Sequence, residues 1–442
     1  MKNKLFLLGA LLLMLTVTSC RQESDALYSY GHNDALRFDE ANKSYAGEFK
    51  VFWNAMNQNY PLWDYERQFG LDWDAAYDEF LPRFEALDQR RENDEEITDE
   101  EYQSLLEDLV RPLHESHMYA IFNNHATGKD ITVNPSVLRI YDREDFNVAL
   151  DFDTDLSYYW NEGRLSRYMS ASTKADSVID LHPDYAEVGI EIKSGVLDDG
   201  VAYLYFSDFD LSPYLSDWGY FTSASQTVLA QNQAIVDVWN NWFDQIQEMK
   251  KSGTLKGVII DVRSNGGGFV NDFRFVLGAL IPQGSSLQIG YHREKNGVGR
   301  YDYGPLLPDV RPSLSDPHET ITEPIVVLTN CLSVSMSEMM AMGAKALSNA
   351  RVVGKRSWGA TGVLLNDPKY YSDTYAGCIG EEGKTSVYIY LPMCALFSLD
   401  NKCYEGVGIE PDIEVDLDVD LFNTTGCDTQ LERALQYIEN GN

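Results

Sequence analysis

Residues 324–362, PIVVLTNCLSVSMSEMMAMGAKALSNARVVGKRSWGATG, place a stricter limit on the fold than any other stretch. The run from Ile325 to Leu328 is short, β-branched and closed by a Thr-Asn pair, which predicts a buried strand. Met336 to Leu347 carries apolar and small residues at helical spacing, which predicts a helix. Ser335 lies at this junction, where a hydroxyl would be exposed beside the first helical amides and the positive end of the helix dipole. This is the geometry of a serine nucleophile.

The same serine has a second interpretation. Ser335 and Glu338 are spaced S-x-x-E, the pattern of an ordinary capping box at a helix N-terminus. Since such boxes are common, this stretch alone favours a helix cap. The nucleophile hypothesis therefore needs support from elsewhere in the chain.

A second informative stretch is GVIIDVRSNGGGFVN at residues 257–271. A predicted buried strand runs into Asp261 and Arg263, and three glycines then precede a predicted helix from Val270 to Leu280. Glycines allow the backbone to approach another group closely and leave its amides unobstructed, although a tight turn would also require them. The dinucleotide fingerprint G-x-G-x-x-G is absent, which argues against a dinucleotide loop.

Strand and helix signals alternate through the middle of the chain. The predicted elements are Val201–Phe206, Gln226–Lys251, Gly257–Val262, Val270–Leu280, Ile325–Leu328 and Met336–Leu347, followed by a strand at Thr385–Leu391 and a helix at Leu431–Ile438. This alternation predicts an α/β core. Residues 45–123 carry a helical pattern interrupted by a solvated acidic run at 91–101, and residues 126–195 show no clear period, so a β-rich insert is expected there.

The N-terminus has the features of a secretory signal. Lys2 and Lys4 precede an apolar run from Leu5 to Leu15, and small residues then lead directly into Cys20. The segment resembles the lipobox of bacterial lipoproteins, in which the cysteine is lipidated and becomes the mature N-terminus. A plain signal peptide with an incidental cysteine is the alternative. The lipobox interpretation predicts a protein anchored by lipid in the bacterial cell envelope.

The net charge excludes some classes of binding partner, and the cysteine pattern bears on disulfides and metal sites. The net charge is −34, from 69 acidic and 35 basic residues among 442, so nucleic acid and anionic membrane surfaces are poor partners. After Cys20 the chain has no C-x-x-C pair and an odd number of cysteines, which indicates neither a full disulfide framework nor a zinc site. These cysteines are Cys331, Cys378, Cys394, Cys403 and Cys427, and the last four leave room for one bridge. No second stretch is long enough to cross a membrane.

Four motifs in order carry a resemblance to a known family. They are DVRSNGGG at 261–268, TNCLSVSMSE at 329–338, VVGKRSWGATG at 352–362 and GVGIEPDIEV at 406–415. Together they resemble the catalytic domain of the tail-specific, or C-terminal processing, serine peptidases. The resemblance implies that Ser335 is the nucleophile and that residues 198–416 form a ClpP/crotonase-like αβ core. It also implies a peptide or protein substrate and no cofactor or metal.

One departure from that pattern indicates the branch of the family. The processing peptidases take their general base from a lysine at the position occupied here by Ala360, and Lys355 does not match that position. The segment is closer to the tricorn-core and retinoid-binding-protein-like branch, which takes its base from a histidine in the N-terminal helical domain. In LHESHMY at 113–119 this resemblance assigns the base to His117 and an orienting role to Ser116, with His114 as a rival.

The resemblance also completes the site. Glu405 matches a glutamate of the same branch and is expected to be linked to the base or to bind the substrate amine. The amide of Met336 and one from Gly266 or Gly267 are expected to form the oxyanion hole. Two alternatives stay open: an inactive relative that binds a peptide or an apolar ligand, and an esterase or amidase with the same acyl-transfer machinery.

These interpretations divide the chain into six parts. They are a signal peptide at 1–19, a lipidated N-terminus and linker at 20–44, a helical domain at 45–125, a β-rich insert at 126–197, the peptidase core at 198–416 and a C-terminal segment at 417–442.

Overall fold

A computed structural model describes most of the chain. The described residues are 36, 38–146, 168, 190–197, 200–215, 226–363, 365–366, 375–376 and 378–441. The predicted signal peptide, Cys20 and, except for residue 168, the stretch 147–189 of the predicted insert lie outside them. The predictions made for those segments therefore stay predictions.

Helices dominate the N-terminal region, as predicted. They are α1 (Phe38–Ala41), α2 (Tyr45–Asn59), α3 (Trp63–Glu66), α4 (Trp73–Glu92) and α5 (Asp99–Val110), with a 3₁₀ turn at Arg67–Phe69. The side chain of Ser44 caps α2 and that of Thr98 caps α5, because each accepts an otherwise unpaired amide of the first turn. Phe49 stacks on Phe84 inside this helical cluster.

The remaining elements follow in chain order. The strands are β1 (Tyr119–Asn124), β2 (Lys129–Val133), β3 (Ile192–Leu197), β4 (Val201–Phe206), β5 (Gly257–Asp261), β6 (Ser286–Glu294), β7 (Leu307–Pro312), β8 (Ile325–Thr329), β9 (Ala350–Gly354), β10 (Leu365–Asn366), β11 (Tyr375–Ala376), β12 (Cys378–Ile379), β13 (Val387–Tyr390), β14 (Cys394–Ser398) and β15 (Ile413–Glu414). The helices are α6 (Pro135–Ile140), α7 (Ser212–Leu215), α8 (Gln226–Ser252), α9 (Met336–Ala346), α10 (Val419–Thr425) and α11 (Thr429–Asn440).

A six-stranded sheet forms the centre of the α/β core. Its order is β15-β9-β8-β5-β4-β3, and every pair is parallel except β3 with β4. All residues of β5 and β8 are buried, because α8 and α9 pack on one face of the sheet and α11 on the other. The apolar runs that predicted these strands are thus runs covered on both faces.

One predicted helix is wrong. Residues Val270–Phe275 and Leu277–Ala279 form two short 3₁₀ turns instead of a continuous α-helix from Val270 to Leu280. The segment is held by tertiary contacts: the buried Asp272 carboxylate accepts the amides of Leu211 and Ser212 at 2.6 and 2.8 Å. Gly278 lies so close to a neighbouring strand that a Cβ would meet the Pro312 carbonyl oxygen at 2.7 Å. These contacts override the local helical pattern.

Two larger antiparallel sheets pack beside the core, and β10 and β11 form a separate antiparallel pair. One has the order β14-β6-β7, and the other has the order β12-β13-β1-β2. In the second, Phe122 of β1 is paired with Val387 of β13, so a late segment of the chain completes the N-terminal region. The predicted helical pattern to residue 123 therefore ends early, because the chain after Val110 turns and enters a strand.

A buried ion-pair network connects the C-terminal helix α11 to the core. Arg263, which is 1% exposed, contacts Asp261 at 2.6 Å and Asp428 at 2.9 Å. Asp428 in turn caps α11. The strand-end residues noted in the sequence thus have a structural role.

Two further expectations can be checked in the described residues. None of the five cysteines among them forms a disulfide, so the bridge allowed among the last four is absent there. None of the described helices is both long enough and apolar enough to traverse a lipid bilayer.

Candidate active site

The glycine loop and the serine loop meet because β5 and β8 are parallel neighbours. Carboxyl ends of adjacent parallel strands lie at the same edge of a sheet, where open α/β folds bind their ligands. The Val334 amide donates to the Asn265 carbonyl at 3.0 Å, and the Ser264 amide donates to the Asn330 side chain at 2.8 Å. The two motifs separated in sequence therefore form one surface.

Ser335 has a strained backbone. Its φ of 58° and ψ of −113° are unusual for a non-glycine residue, and the side chain is half-buried at the start of α9. Such conformations cost about 1–3 kcal/mol and persist only where the surroundings impose them. The predicted capping box is also present, with the Ser335 amide donating to the Glu338 carboxylate at 3.1 Å. The cap and the exposed serine thus coexist.

The neighbouring serines are structural. Ser333 and Ser337 are fully buried. The Ser333 hydroxyl donates to the Val262 carbonyl at 2.7 Å, and the Ser337 hydroxyl contacts Asn265 at 2.9 Å. Of the three serines, Ser335 is the one that is not fully buried.

Gly267 lies directly against the serine. A Cβ there would come within 2.5 Å of the Ser335 Cβ and 2.9 Å of the Met336 amide nitrogen, and the φ of Gly267 is +93°. Close approach and positive φ both require glycine at this point. As the first residue of α9, Met336 has an amide with no partner inside the helix. That amide is therefore available to donate a hydrogen bond to an oxyanion.

The predicted second oxyanion donor needs refinement. The Gly267 amide donates to the Asn265 side chain at 2.9 Å, so it is already engaged. The Gly266 amide has no acceptor among the described residues, which makes Gly266 the better partner for Met336. Asn265 was not recognised from sequence, yet it supports both the glycine loop and Ser337.

Glu338 links the serine to the loop that carries Ala360. Its buried carboxylate accepts the Ser357 hydroxyl at 2.6 Å and the amides of Gly359 and Ala360 at 2.8 and 2.6 Å, besides the Ser335 amide. Burial raises the pKa of Glu338 to about 7. Sequence reasoning saw only a cap here, and nothing in a lone S-x-x-E pattern reveals the three partners from the later loop.

Glu405 holds the next residues of the same loop. Its buried carboxylate accepts the amides of Thr361 at 2.7 Å and Gly362 at 2.6 Å, and on its other oxygen the amide of Ser116 at 2.8 Å. Burial and the charge of Glu338 raise the pKa of Glu405 to about 7. Consecutive amides therefore join the carboxylate beside the serine to the carboxylate beside the predicted base.

His117 lies with Glu405 and Glu115 in one cluster. One ligand-type atom from each side chain lies within 4.8 Å of the others. Both ring nitrogens of His117 are enclosed and have no hydrogen-bond partner among the described residues, so neither is bonded to Ser335. Burial lowers the pKa of His117 to about 4, which leaves the ring neutral near pH 7. A neutral imidazole is the form that accepts a proton.

The Ser116 hydroxyl does not contact the His117 ring, and the orienting role predicted for Ser116 stays a prediction. That hydroxyl contacts the His114 carbonyl at 3.4 Å and Arg139 at 3.2 Å instead of the His117 ring. The backbone amide of Ser116 is the useful group, because it fixes Glu405. Glu115 was overlooked in the sequence, although its carboxylate accepts the His117 amide at 2.9 Å.

The two rival bases are engaged elsewhere. The His114 ring contacts the Glu66 carboxylate at 2.8 Å and stacks on Phe69. The Lys355 ammonium contacts Glu414 at 2.9 Å and Asp416 at 2.8 Å. Neither group faces Ser335 in these contacts.

A cavity of about 330 Å³ lies beside the loops that carry the base. Its lining includes Ser116 and the two residues that follow Glu405. The lining residues are Phe69, His114, Ser116, Ser136, Arg139, Ile140, Asp142, Arg143, Arg356, Trp358, Gly406 and Val407. Two of its three arginines, Arg143 and Arg356, are ion-paired with Asp145 at 2.8 and 2.7 Å.

Comparison with known proteins shows a similarity to one peptidase family. The model of peptidase family S41 matches residues 201–415. A tricorn protease from Thermoplasma volcanium is 26% identical over 182 residues, which are 41% of this chain and 14% of that protein. A carboxy-terminal-processing protease from Bartonella bacilliformis is 28% identical over 171 residues, which are 39% of this chain and 33% of that protein. The chain thus matches a third or less of the length of these relatives.

Solved structures confirm the α/β fold over a longer span. A candidate peptidase from Parabacteroides merdae superposes with a TM-score of 0.56 at 18% identity and covers 91% of this chain and 98% of its own. Mature CPAF superposes with a TM-score of 0.54 at 12% identity and covers 90% of this chain and 98% of its own. At these low identities the superpositions are evidence for the fold alone. The sequence matches add that residues 201–415, just under half of this chain, are similar to peptidase family S41.

Proposed function

We propose that the protein is a serine peptidase that cleaves peptides or unfolded proteins through an acyl-enzyme on Ser335. One observation carries the proposal: the loop at residues 359–362 gives consecutive amides to Glu338 on the serine side and to Glu405 on the histidine side. That loop has Ala360 where an amine base would otherwise stand. The proposed base is therefore His117.

The proposed reaction uses these groups in sequence. The Ser335 hydroxyl oxygen attacks the scissile carbonyl carbon while a ring nitrogen of His117 takes its proton. The same proton passes to the leaving amine as the C–N bond breaks, which leaves an ester on Ser335. Water then hydrolyses the ester with His117 again as base. Catalytic hydrogen bonds that are open in the unliganded state tighten when substrate binds.

Charge stabilisation comes from both sides of the serine. The amides of Met336 and Gly266 are proposed to hold the oxyanion, and removal of one such donor typically costs about 3 kcal/mol in activation free energy. The Glu405 carboxylate lies in the His117 cluster, where its ionised form stabilises the imidazolium that develops during attack.

The proposed location is the bacterial cell envelope, with the lipid anchor on Cys20. The support is the charged, apolar and small-residue order of residues 1–20. Cys20→Ala is expected to leave the precursor unprocessed or to release the protein from the membrane fraction. Unchanged membrane association of that variant would contradict the anchor.

Cleavage assays on the full chain test the activity. Wild type should hydrolyse an unfolded protein or a peptide library, and Ser335→Ala should not. Hydrolysis of simple esters without any peptide cleavage would replace the peptidase with an esterase. A folded wild type that cleaves neither class would favour the binding protein.

A further inference from the structure

The cluster of Glu115, His117 and Glu405 has an unsatisfied carboxylate oxygen at its centre. Glu115 is completely buried, and its Oε2 has no hydrogen-bond partner among the described residues. The ring nitrogens of His117 are likewise enclosed and unpartnered there. A buried carboxylate oxygen without a partner is costly, so such a group points to a proton, a water or a cation that it would hold.

We propose that these three side chains form a binding site for a divalent zinc-type cation. Their ligand atoms lie within 4.8 Å of one another, so some point lies within about 2.8 Å of all three. Zinc bonds to nitrogen and carboxylate oxygen are about 2.0–2.2 Å long, so side-chain adjustments of less than about 1 Å close the site. Three protein ligands would leave one position of a tetrahedral ion for water.

The surroundings suit ligand roles for the two carboxylates. Glu405 is oriented by the amides of Ser116, Thr361 and Gly362, and Glu115 by the amide of His117. Amide donors of this kind fix metal-binding carboxylates and are a regular part of metal sites. Each carboxylate retains acceptor capacity beyond these bonds.

Charge and ligand chemistry select the type of ion. Burial and the charge of Glu405 raise the pKa of Glu115, so a bound cation would displace its proton. Once both carboxylates are ionised, they and a neutral imidazole carry a charge of −2, which a divalent cation neutralises inside the protein. Glu66 and Arg139 also act on Glu115 and have opposite signs, so they offset each other. An imidazole ligand favours zinc or a similar transition metal over magnesium and calcium, which prefer oxygen ligands.

Occupation of this site would control the proposed activity. A metal on the His117 ring takes the lone pair that must accept the Ser335 proton, so zinc should inhibit hydrolysis reversibly. This consequence rests on the proposed function, whereas metal binding itself does not. Binding and inhibition are therefore measured separately.

Binding is tested by titrating Zn²⁺ into full-length Ser335→Ala protein in competition with a chromogenic chelator. We expect one zinc per chain, with an affinity reduced at least about 10-fold by adding Glu115→Gln. Asp142→Asn is the matched control, because it removes a carboxylate from the neighbouring cavity but not from the cluster, and it should bind as the parent does. If the Glu115 variant does not fold, His117→Asn in the same background makes the same test.

Two results would overturn the inference. One is a folded Ser335→Ala protein that binds no zinc, and the other is zinc binding that Glu115→Gln and His117→Asn leave intact, as adventitious thiol sites would give. Inhibition is then measured on active enzyme, where each variant is compared with its own zinc-free rate and a chelator should restore activity. Zinc binding that depends on Glu115 in a protein without hydrolytic activity would keep the metal site and reject the peptidase.

Discussion

The Glu338 carboxylate accepts a hydrogen bond from the amide of Ser335 at 3.1 Å and so ties the strained serine to its own helix. The same carboxylate holds Ala360 and the residues just before it. One buried group therefore positions both the proposed nucleophile and the loop that lacks an amine base.

Removal of this carboxylate is the first prediction. Glu338→Ala leaves buried donors from Ser335, Ser357, Gly359 and Ala360 without an acceptor, and each unsatisfied group costs about 1–3 kcal/mol. We expect the free energy of unfolding to fall by at least about 3 kcal/mol and acylation to slow. Denaturant titration and labelling rates measure both effects. Glu100→Ala, at an exposed helix position, is the control. An equally small effect of both variants on stability and acylation would contradict the positioning role of Glu338.

The close approach of Gly267 gives a second prediction. Gly267→Ala would place a Cβ 2.5 Å from the Ser335 Cβ, so activity should be lost through displacement of the serine loop. Gly284 provides a matched control, because its φ is also positive at +71° but nothing lies within 4 Å of the position that an added methyl group would take. Gly284→Ala should cost about 1 kcal/mol in stability and retain activity. Equal activity of the two variants would contradict the close approach.

The assignment of the base gives a third prediction. His117→Ala should lose at least about 100-fold in kcat/KM, the low end for general base catalysis, while staying folded. His114→Ala and Lys355→Ala should remain active, because their side chains are paired with acidic residues away from the serine. An essential Lys355 with a dispensable His117 would return the protein to the serine-lysine branch.

The pH dependence gives a fourth prediction. Burial lowers the pKa of His117 to about 4, and burial with the charge of Glu338 raises the pKa of Glu405 to about 7. The base becomes competent above the first value, and Glu405 becomes able to stabilise the imidazolium above the second. We therefore expect kcat/KM to rise in two steps, near pH 4 and near pH 7. Because the pKa of Glu338 is also raised to about 7, Glu405→Gln should reduce the upper step without abolishing it. A single step near the ordinary imidazole pKa in both proteins would contradict this assignment.

Local patterns predicted much of the fold, and long-range contacts explain the differences. The apolar β-branched runs at β4, β5 and β8 predicted those strands because each is covered on both faces. The pairing of Phe122 with Val387 joins residues far apart in the chain, and no local pattern encodes it. The 3₁₀ turns after Val270 likewise depend on contacts from Leu211 and Pro312.

Some residues of the candidate site could likewise be predicted from local sequence, and others could not. Ser335 could be predicted because a strand, a serine and a helix are adjacent in sequence. The contact of the Ser116 hydroxyl with Arg139 of α6 and the bond between Glu115 and the His117 amide depend on how a non-helical segment folds. Single glutamates carry no signal for such contacts. Geometry was therefore needed to find Glu115 and the wider role of Glu338.

The central claim is that Ser335 is the nucleophile, and mass-spectrometric mapping of a fluorophosphonate adduct tests it most directly. Ser333 and Ser337 are buried and bonded to the backbone, so their alanine variants should still label, although each loses about 1 kcal/mol or more of stability. The account predicts an adduct on the peptide containing residue 335, located at Ser335 itself, and none in Ser335→Ala. An adduct on Ser333, on Ser337 or on a serine outside this loop would contradict it.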